Sequence, residues 1–573
     1  MKSYRLMDKK RTYFLALAAL CLIALFLFLG ESSFHTRGEP REAVVALSML
    51  ERGNWILPVN NGVDIAYKPP LFHWMIAATS SLAGSVSEYT ARFPSAFALT
   101  VMLLAGFLFF AKRRGTELAM VTSLLTLTNF EVHRAGLNCR VDMLLAAFMV
   151  LALYQLYFWY ERNLKGIPWL AILFMGGAAL TKGPVGIVVP CLVAFVFLLI
   201  KGKKFLPLCG KFIVVGLLSC VLPLVWYIAA YQQGGERFLA LVLEENFLRF
   251  AGKMSYASHE NPAYYNVLTL LAGFIPYTLF VVISLFILKY KKPDFHGLWG
   301  QTKAAIASMD DTRLYALVSA AVIFIFYCIP KSKRSVYLLP MYPFVAYFLA
   351  EYFLYLRRRH PQVIRVSTWI LAILSTALFL VFMVVRLGLI PESWICGRHP
   401  EETWAYIEAL RTAPLGLWNG LLILLPFGIL ADFIWRLRRR AANLLPTLFG
   451  FVITVFIALD GFYQPTVLNV KSDKPMAQHV ATLVPDGRLY SYRKNFVEGN
   501  RMHPFTLNFY LGDRIVPFQD FAPAEGYLVM GENELANFQE TYGTTYTLKD
   551  LYDSNRRSCD DHSVVHLYWF EKR

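Results

Sequence analysis

The sequence predicts a mainly α-helical, polytopic membrane protein that ends in a small α/β domain, and three observations support this. Of the 573 residues, 57% are hydrophobic and only 17% are charged, which excludes an ordinary soluble protein. Apolar runs long enough to cross about 30 Å of hydrocarbon recur as far as residue 462. Basic clusters alternate between these runs, whereas residues 463–573 have the composition of a soluble domain.

The apolar runs predict about thirteen membrane spans. The first run, 14–30, follows the basic residues Lys9, Lys10 and Arg11, and no small-residue cleavage site comes after it. We therefore expect an uncleaved first span with a cytoplasmic N-terminus. The later runs lie at 93–111, 117–130, 141–160, 167–181, 184–200, 211–231, 263–288, 314–330, 335–355, 363–390, 413–435 and 444–462.

Basic residues are concentrated in every second connection between the predicted spans. The clusters begin at Lys112, Arg162, Lys201, Lys289, Arg357 and Arg436. This alternation follows the positive-inside rule, so the net charge of +17 indicates cytoplasmic loops and not a nucleic-acid-binding surface. An odd number of spans then places the C-terminus and the long connections 31–92, 232–262 and 389–412 outside the cytoplasm.

Residues 463–573 are predicted to form an external α/β domain after a transmembrane domain of residues 1–462. Alternating stretches such as "GYLVMG" and "VVHLYWFE" indicate strands, and "NELANFQETYG" indicates a helix. A packing or lid domain without chemistry of its own is the simplest interpretation. Cys396 and Cys559 both lie in predicted external segments, where they could form a disulfide or remain free.

Ionisable residues are almost absent from the centres of the predicted spans, which disfavours an ion-coupled transporter. They lie instead at the predicted external ends, beginning in the first external loop, 31–92. The candidates are Glu39, Arg41, Glu42, Lys68, Arg140, Asp142, Lys182, Arg249, His259, Lys331, Lys333, Arg334 and Tyr337. Arg and Lys bind phosphate, and a carboxylate nearby can take a proton from an attacking hydroxyl or amine. This combination favours glycosyl transfer from a lipid-linked phosphate, without an obligatory metal ion.

Several segments, in this order, resemble the membrane glycosyltransferases of the GT-C fold. Within that group, the chain is similar to bacterial relatives of the lipid A aminoarabinose transferases and of the protein O-mannosyltransferases. The matching segments are an acidic-x-Arg motif at Glu39–Arg41, then "RGNWILPVNNG", "YKPPLFHW", "RFPSAF", "CRVDMLLAAF", "LTKGPVGIVVP", "ENFLRF" and "KSKRSVYLLPMYP". They cover most of the first 350 residues, and their common order is more specific than any one of them.

The resemblance implies roles for individual residues. Lys68 and Arg249 match the residues that bind the donor phosphate, and Lys331 and Lys333 are further candidates, although such cations could merely anchor spans at the interface. Asp142 matches a second acid, and Tyr337 matches the tyrosine of a Lys-x-x-x-Tyr-x-x-Pro motif. The remaining candidates for substrate binding are Arg41, Tyr67, Arg140 and His259.

Two positions depart from the aminoarabinose transferases. Gly38 stands where they have Asp, and Tyr67 stands where they have Glu. The catalytic base is therefore expected to be Glu39 or Asp142. Because the Glu that a metal site would use is missing at position 67, we expect no required cofactor and no metal ligands, and a divalent metal ion stays a disfavoured alternative.

The predicted function is inverting transfer of a sugar from undecaprenyl phosphate to an acceptor at the periplasmic face of a bacterial inner membrane. The acceptor could be a lipid A-like lipid, a glycan or a protein. The alternatives are an exporter or flippase of a lipid-linked sugar, and a structural scaffold. An exporter should show mid-span acids or a nucleotide-binding loop, and the sequence contains neither.

Overall fold

The computed structural model describes residues 2–245, 260–262, 264–288, 298–494 and 504–573. The larger part is a bundle of helices, and a small mixed sheet lies near the C-terminus. The helices that precede this sheet are α1 Lys2–Cys21, α2 Pro40–Arg52, α3 Leu71–Ala83, α4 Glu88–Arg114, α5 Thr116–Leu127, α6 Phe130–Gly136, α7 Val141–Glu161, α8 Trp169–Lys182, α9 Val185–Ile200, α10 Phe205–Leu243, α11 Tyr265–Gly273, α12 Tyr277–Ile287, α13 Leu298–Ala307, α14 Asp311–Cys328, α15 Tyr342–Arg359, α16 Pro361–Arg386, α17 Pro400–Thr412, α18 Leu417–Arg438, α19 Leu445–Ala458, α20 Gln464–Leu468 and α21 Lys474–Leu483.

The structure confirms a multi-pass membrane protein. Among the described residues, 8 helices are long and apolar enough to cross a membrane, or 9 if α11 and α12, which meet at 89°, form one broken span. The apolar runs predicted at 117–130, 167–181 and 184–200 become α5, α8 and α9, which have 12, 14 and 16 residues. Since about 20 residues cross the hydrocarbon, the count of about thirteen spans stays a prediction.

Residues of the predicted cytoplasmic clusters at Lys112 and Lys201 lie at one end of the bundle, and the cluster at Lys289 lies outside the described residues. At the C-terminal end of α4, Arg113 pairs with Glu161 at 2.6 Å and Arg114 pairs with Glu351 at 2.7 Å. Lys201, which follows α9, pairs with Asp311 at the start of α14 at 2.7 Å. The predicted site residues lie near the opposite end of α4, which begins at Glu88.

The segment between α1 and α4 forms a small substructure at that opposite end. Helix α2 has Pro40 at its first position and ends at Gly53, whose φ of 71° is the left-handed conformation that favours glycine. A hairpin of two short strands follows, β1 Val59–Asn60 and β2 Asp64–Ile65. The chain then passes through Lys68 and two prolines into α3.

The C-terminal part contains a five-stranded mixed sheet in the order β4-β3-β5-β7-β6. Its strands are β3 Leu489–Ser491, β4 Ile515–Pro517, β5 Glu525–Gly531, β6 Tyr546–Arg557 and β7 Val564–Lys572, and its helices are α22 Phe505–Tyr510, α23 Phe518–Phe521 and α24 Glu532–Tyr542. This confirms the predicted small α/β region. The boundary at residue 463 stays a prediction, because the helix that starts in the last span continues past it.

The two cysteines left open by the sequence are both free. Cys396 is exposed in the connection between α16 and α17, and Cys559 is buried between β6 and β7. The thiol of Cys559 donates to Asp473 at 3.3 Å and lies 3.4 Å from the hydroxyl of Thr506.

The C-terminal region is hydrogen-bonded to the tip of the β1–β2 hairpin. Asp513, which is 3% exposed, accepts hydrogen bonds from the backbone N–H of Asn61 and from Nδ2 of Asn508, both at 2.8 Å. Its other oxygen accepts from Arg52 at 2.7 Å. The end of α2 and the hairpin are thereby joined to the small domain.

Candidate active site

A buried carboxylate in the first turn of α2 is the centre of the site. Glu42 has a side chain that is 4% exposed, and its Oε1 accepts from Arg41 Nη2 at 3.0 Å and from the ammonium group of Lys68. Its Oε2 lies 2.9 Å from Nε2 of His73, a residue that is 1% exposed. Residues from α2, from the Lys-Pro-Pro segment and from α3 therefore meet on one carboxylate.

A second buried carboxylate lies at the start of α7. Asp142 accepts a hydrogen bond from the ammonium group of Lys182, the last residue of α8. The same ammonium nitrogen lies 4.6 Å from the centre of the Tyr337 ring. Asp142, Lys182 and Tyr337 thus come together from three separate sequence segments.

Arg140 connects the two carboxylates. Its guanidinium interacts electrostatically with both Glu42 and Asp142, and also with Arg41 and Arg334. Arg41 in turn interacts with Tyr67. The structure therefore brings together five of the predicted site residues, Arg41, Tyr67, Lys68, Arg140 and Asp142, with Tyr337 beside them.

Cations are both more numerous and more accessible than carboxylates in this cluster. Its described residues include five cations, Arg41, Lys68, Arg140, Lys182 and Arg334, against three carboxylates, Glu42, Asp142 and Glu245. The side chains of Lys68 and Lys182 are 28% and 27% exposed, whereas those of Glu42 and Asp142 are 4% and 6% exposed. The excess positive charge therefore faces outward, toward any ligand.

The charges in the cluster alter one another's protonation. Burial and the neighbouring Arg41 lower the pKa of Lys68 to about 8, although Glu42 opposes this. Burial alone would raise the pKa of Glu42, but Lys68, Arg41 and His73 together hold the pKa well below its usual range. At neutral pH the pair is consequently charged on both sides.

Glu39, expected as the base, lies in a buried ion pair with Arg92. Its carboxylate is 2% exposed and accepts two hydrogen bonds from Arg92, at 2.9 and 3.1 Å. The backbone N–H of Cys139 donates a third at 2.9 Å. Burial would raise the pKa of Glu39, yet Arg92 and this N–H keep the pKa below its ordinary value. Both oxygens are occupied, so Glu39 ties the first loop to α4 and does not face the cluster cations.

The departure at Gly38 has a clear structural basis. A Cβ atom on Gly38 would lie 1.6 Å from Nη2 of Arg140 and 2.3 Å from Cζ. The guanidinium of Arg140 therefore occupies the space that an Asp at this position would need. Glu42, one turn farther along the chain, is the acid of α2 that accepts from Lys68 and Arg41.

The other predicted phosphate ligands differ in their surroundings. Lys333 is 5% exposed and donates to the backbone carbonyls of Pro330 at 2.6 Å and Asn261 at 3.2 Å, so its role in phosphate binding stays a prediction. Lys331 is exposed, and its carbonyl accepts from the Asn261 N–H. Arg249 and His259 lie outside the described residues.

One group among the described residues has suitable atoms for a metal ion, and it lies away from this cluster. Asp473, Cys559 and Asp560 in the C-terminal region have ligand atoms within 4.8 Å of one another. All three are buried, and burial raises the pKa of both carboxyl groups, that of Asp560 to about 8. Ser558 and Thr506 donate hydrogen bonds to these carboxyls at 2.6 to 3.0 Å.

Comparison with known proteins agrees with this architecture. Residues 67–227 match the family described as dolichyl-phosphate-mannose-protein mannosyltransferase. ArnT from Cupriavidus metallidurans, crystallised with undecaprenyl phosphate, superimposes with a TM-score of 0.70 over 97% of each chain at 20% identity. The chain has the GT-C fold.

Two curated relatives extend the similarity in sequence. An uncharacterized protein of Aquifex aeolicus is 28% identical over 333 residues, which are 58% of this chain and 62% of that protein. The undecaprenyl phosphate-alpha-4-amino-4-deoxy-L-arabinose arabinosyl transferase of Shewanella sediminis is 26% identical over 420 residues, 70% of this chain and 73% of that protein. The resemblance predicted from the sequence motifs is confirmed.

Sequence reasoning located the cluster but did not identify all of its members. Glu42, Lys182 and Arg334 were recognised as polar residues at external ends, without a role. His73 was missed, although it lies one helical turn after Lys68-Pro-Pro and faces the same carboxylate. Arg92, in the "RFPSAF" segment, was also missed; a buried arginine in an apolar helix is a signal that an acid lies opposite.

Proposed function

We propose that the protein is a glycosyltransferase that moves a sugar from a polyprenyl phosphate, such as undecaprenyl phosphate, to an acceptor by a single inverting displacement. The observation that carries this proposal is the cluster of five cations, in which Lys68 and Lys182 are partly exposed and paired with the buried carboxylates Glu42 and Asp142. The names of the relatives, which specify undecaprenyl phosphate as the carrier, support the choice of donor.

The cations of the cluster can stabilise the negative charge of the leaving phosphate. As the bond between the anomeric carbon and the phosphate breaks, negative charge grows on the phosphate, and Lys68 and Arg140 stand where they can stabilise it. Arg41 contributes a further donor, since its Nε is buried and has no acceptor within the described part of the chain. An orphaned guanidinium N–H beside an accessible lysine suits an anionic ligand.

The carboxylates provide a place for the acceptor proton. Asp142 and Glu42 are each paired with a partly exposed lysine of the cluster, so either carboxylate is a candidate to receive the acceptor proton. A lipid A-like lipid, a glycan and a protein each offer hydroxyl groups or amines, and the acceptor is proposed at this level only. The polarity of the bundle supports a periplasmic site in a bacterial inner membrane, because the basic clusters meet at its other end.

A transfer assay with the purified full-length protein tests the proposal. Detergent-solubilised protein is given undecaprenyl phosphate-linked sugars, including 4-amino-4-deoxy-L-arabinose, together with envelope lipids as acceptors, and release of undecaprenyl phosphate is measured. We expect turnover by the unmodified protein. For Lys68→Ala we expect about 10- to 150-fold weaker binding of undecaprenyl phosphate, which corresponds to a charged hydrogen bond of about 1.5–3 kcal/mol.

Lys549→Ala is the matched control, because Lys549 is an exposed lysine on β6 of the C-terminal sheet. It should bind and turn over like the unmodified protein. If no polyprenyl phosphate sugar is consumed, or if Lys68→Ala binds undecaprenyl phosphate as tightly as the unmodified protein, the proposed function is wrong.

The proposed orientation has its own test. Single cysteines are placed at the exposed positions Glu51, beside the site, and Lys165, at the basic end, after the exposed Cys220 and Cys396 are replaced by Ser. In intact spheroplasts a membrane-impermeant maleimide should label Glu51→Cys and leave Lys165→Cys unlabelled until lysis. The reverse pattern would place the site in the cytoplasm.

A further inference from the structure

Glu42 is held in place by two partners, His73 and Arg41, and its Oε1 is also covered by a third, Lys68. His73 fixes Oε2 from the buried side at 2.9 Å, and Arg41 holds Oε1 at 3.0 Å. The ammonium group of Lys68 covers Oε1 from the accessible side. If Lys68 leaves, the carboxylate therefore keeps its position, because His73 and Arg41 still hold it.

Asp142 does not have the same arrangement. Its ammonium partner, Lys182, is also held against the ring of Tyr337, so that ammonium has a second stabilising contact besides the carboxylate. Lys68 has the opposite environment, because the nearby Arg41 repels it. Of the two ammonium groups, that of Lys68 is the one that an incoming anion can draw away more easily.

A phosphate diester and Glu42 compete for the same ammonium group. When the diester takes Lys68, Glu42 loses its nearest positive charge, so its affinity for a proton rises. Arg41 and His73 continue to face the carboxylate, Arg140 acts on it from the start of α7, and Glu245 acts on the neighbouring Lys68 and Arg41 from the end of α10. The carboxylate thus becomes a stronger base when the donor is bound.

We propose that Glu42 is the catalytic base of the transfer reaction, and that the donor phosphate uncovers it by drawing Lys68 away. This inference rests on the proposed function and assigns the acceptor to the hydroxyl or amine class, which has a proton to lose. His73 is a positioning residue for Glu42.

The transfer reaction breaks two bonds and forms two. The O–H bond of the acceptor breaks and its proton passes to Oε1 of Glu42. The acceptor oxygen forms a bond to the anomeric carbon, and the bond from that carbon to the phosphate oxygen breaks. The electron pair leaves with the phosphate, which departs as polyprenyl monophosphate beside Lys68. The step needs no oxidant or reductant.

The test separates a base from a residue that merely holds Lys68. In Glu42→Gln the amide keeps the size of the side chain but cannot take the proton. We expect undecaprenyl phosphate to bind at least as tightly as to the unmodified protein, because Lys68 no longer has a competing anion. Single-turnover transfer to the envelope lipid acceptors should fall by about 10²- to 10⁴-fold.

Azide provides the second arm, because it attacks the anomeric carbon without losing a proton. With azide in place of the acceptor, Glu42→Gln should form glycosyl azide at a rate close to that of the unmodified protein. Lys68→Ala should lose both reactions, since the leaving phosphate lacks its cation in each. Glu408→Gln is the matched control, because Glu408 is a partly exposed carboxylate paired with Arg411 on α17.

Each outcome has a distinct meaning. If Glu42→Gln binds undecaprenyl phosphate more weakly and loses both reactions, Glu42 only positions Lys68 and the inference is wrong. If it transfers to lipid acceptors at the unmodified rate while Asp142→Asn is inactive in that reaction, the base is Asp142. If the unmodified protein consumes no donor, the proposed function fails first. Should Glu42→Gln not fold, Glu42→Asp retains the charge, and it should slow transfer to lipids while leaving the azide reaction intact.

Discussion

Two carboxylates three residues apart, Glu39 and Glu42, lie in opposite kinds of environment. Glu39 is enclosed with Arg92, whose side chain is 3% exposed, and the pair satisfies both of its oxygens without access for a ligand. Glu42 is equally buried, but its partner Lys68 is 28% exposed. The comparison shows that burial of an acid does not identify a base. What distinguishes the two ion pairs is the exposure of the cation: a ligand can reach the partly exposed Lys68, but it cannot reach the enclosed Arg92.

Breaking the enclosed Glu39–Arg92 pair should have the largest effect of these substitutions, and that effect is on stability. Arg92→Met leaves the buried charge of Glu39 without its cation, and we expect the free energy of unfolding to fall by about 3–5 kcal/mol. Denaturant unfolding in detergent measures this. Arg411→Met, which breaks the exposed pair with Glu408, is the control and should cost less than about 1 kcal/mol. Equal effects of the two substitutions would contradict the distinction between enclosed and open pairs.

The open pair should make donor binding depend on pH. Lys68 has a pKa of about 8, lowered by burial and Arg41, and a bound phosphate raises that pKa because it favours the charged ammonium. Donor affinity should therefore be constant below pH 8 and fall above it, by up to about tenfold per pH unit. The diester donor keeps its single charge throughout this range. Binding isotherms between pH 7 and 10 measure the effect.

An arginine at position 68 provides the control for that pH dependence. Lys68→Arg stays charged across the whole range, so whatever its affinity at pH 7, the affinity should not fall between pH 8 and 10. If the unmodified protein and Lys68→Arg lose affinity in parallel, another group is responsible for the pH dependence.

The hairpin that leads to Lys68 should transmit a smaller effect from the C-terminal domain. Two residue pairs are too few to keep a hairpin stable alone, and Asp513 supports its tip through Asn61. We expect Asp513→Asn to weaken donor binding by about 2- to 30-fold, the range for coupling of about 0.5–2 kcal/mol between sites. The turnover of bound donor should change little. Asp553→Asn, at an exposed position of β6, is the control.

Lys331 should give the smallest effect. Its side chain is exposed, and the contact found for the residue is made by its backbone carbonyl, which accepts from Asn261. Lys331→Ala should therefore change the affinity for undecaprenyl phosphate by less than about twofold, in the same assay that detects Lys68→Ala. A loss of affinity as large as that of Lys68→Ala would mean that Lys331 also binds the donor phosphate.

The sequence by itself determined the class of the protein and the location of its chemistry. Long apolar runs require a membrane, since the backbone of each span must satisfy its own hydrogen bonds in hydrocarbon. The alternating basic clusters predicted that polar residues such as Lys68 and Asp142 would share one end of the bundle. The two prolines after Lys68 restrict the backbone there, so a defined position for its side chain was also predictable.

Only the tertiary structure decided which acid meets which cation. The partners of Glu39 are Arg92 and the N–H of Cys139, and the partners of Glu42 include His73, so each pairing joins separate segments. Spacing along the chain cannot give these pairs, because they follow from how α2, α3, α4 and the start of α7 pack together. The same packing puts Arg140 against Gly38 and places the buried Glu42 beside the partly exposed Lys68, where the sequence alone pointed to Glu39 or Asp142 as the base.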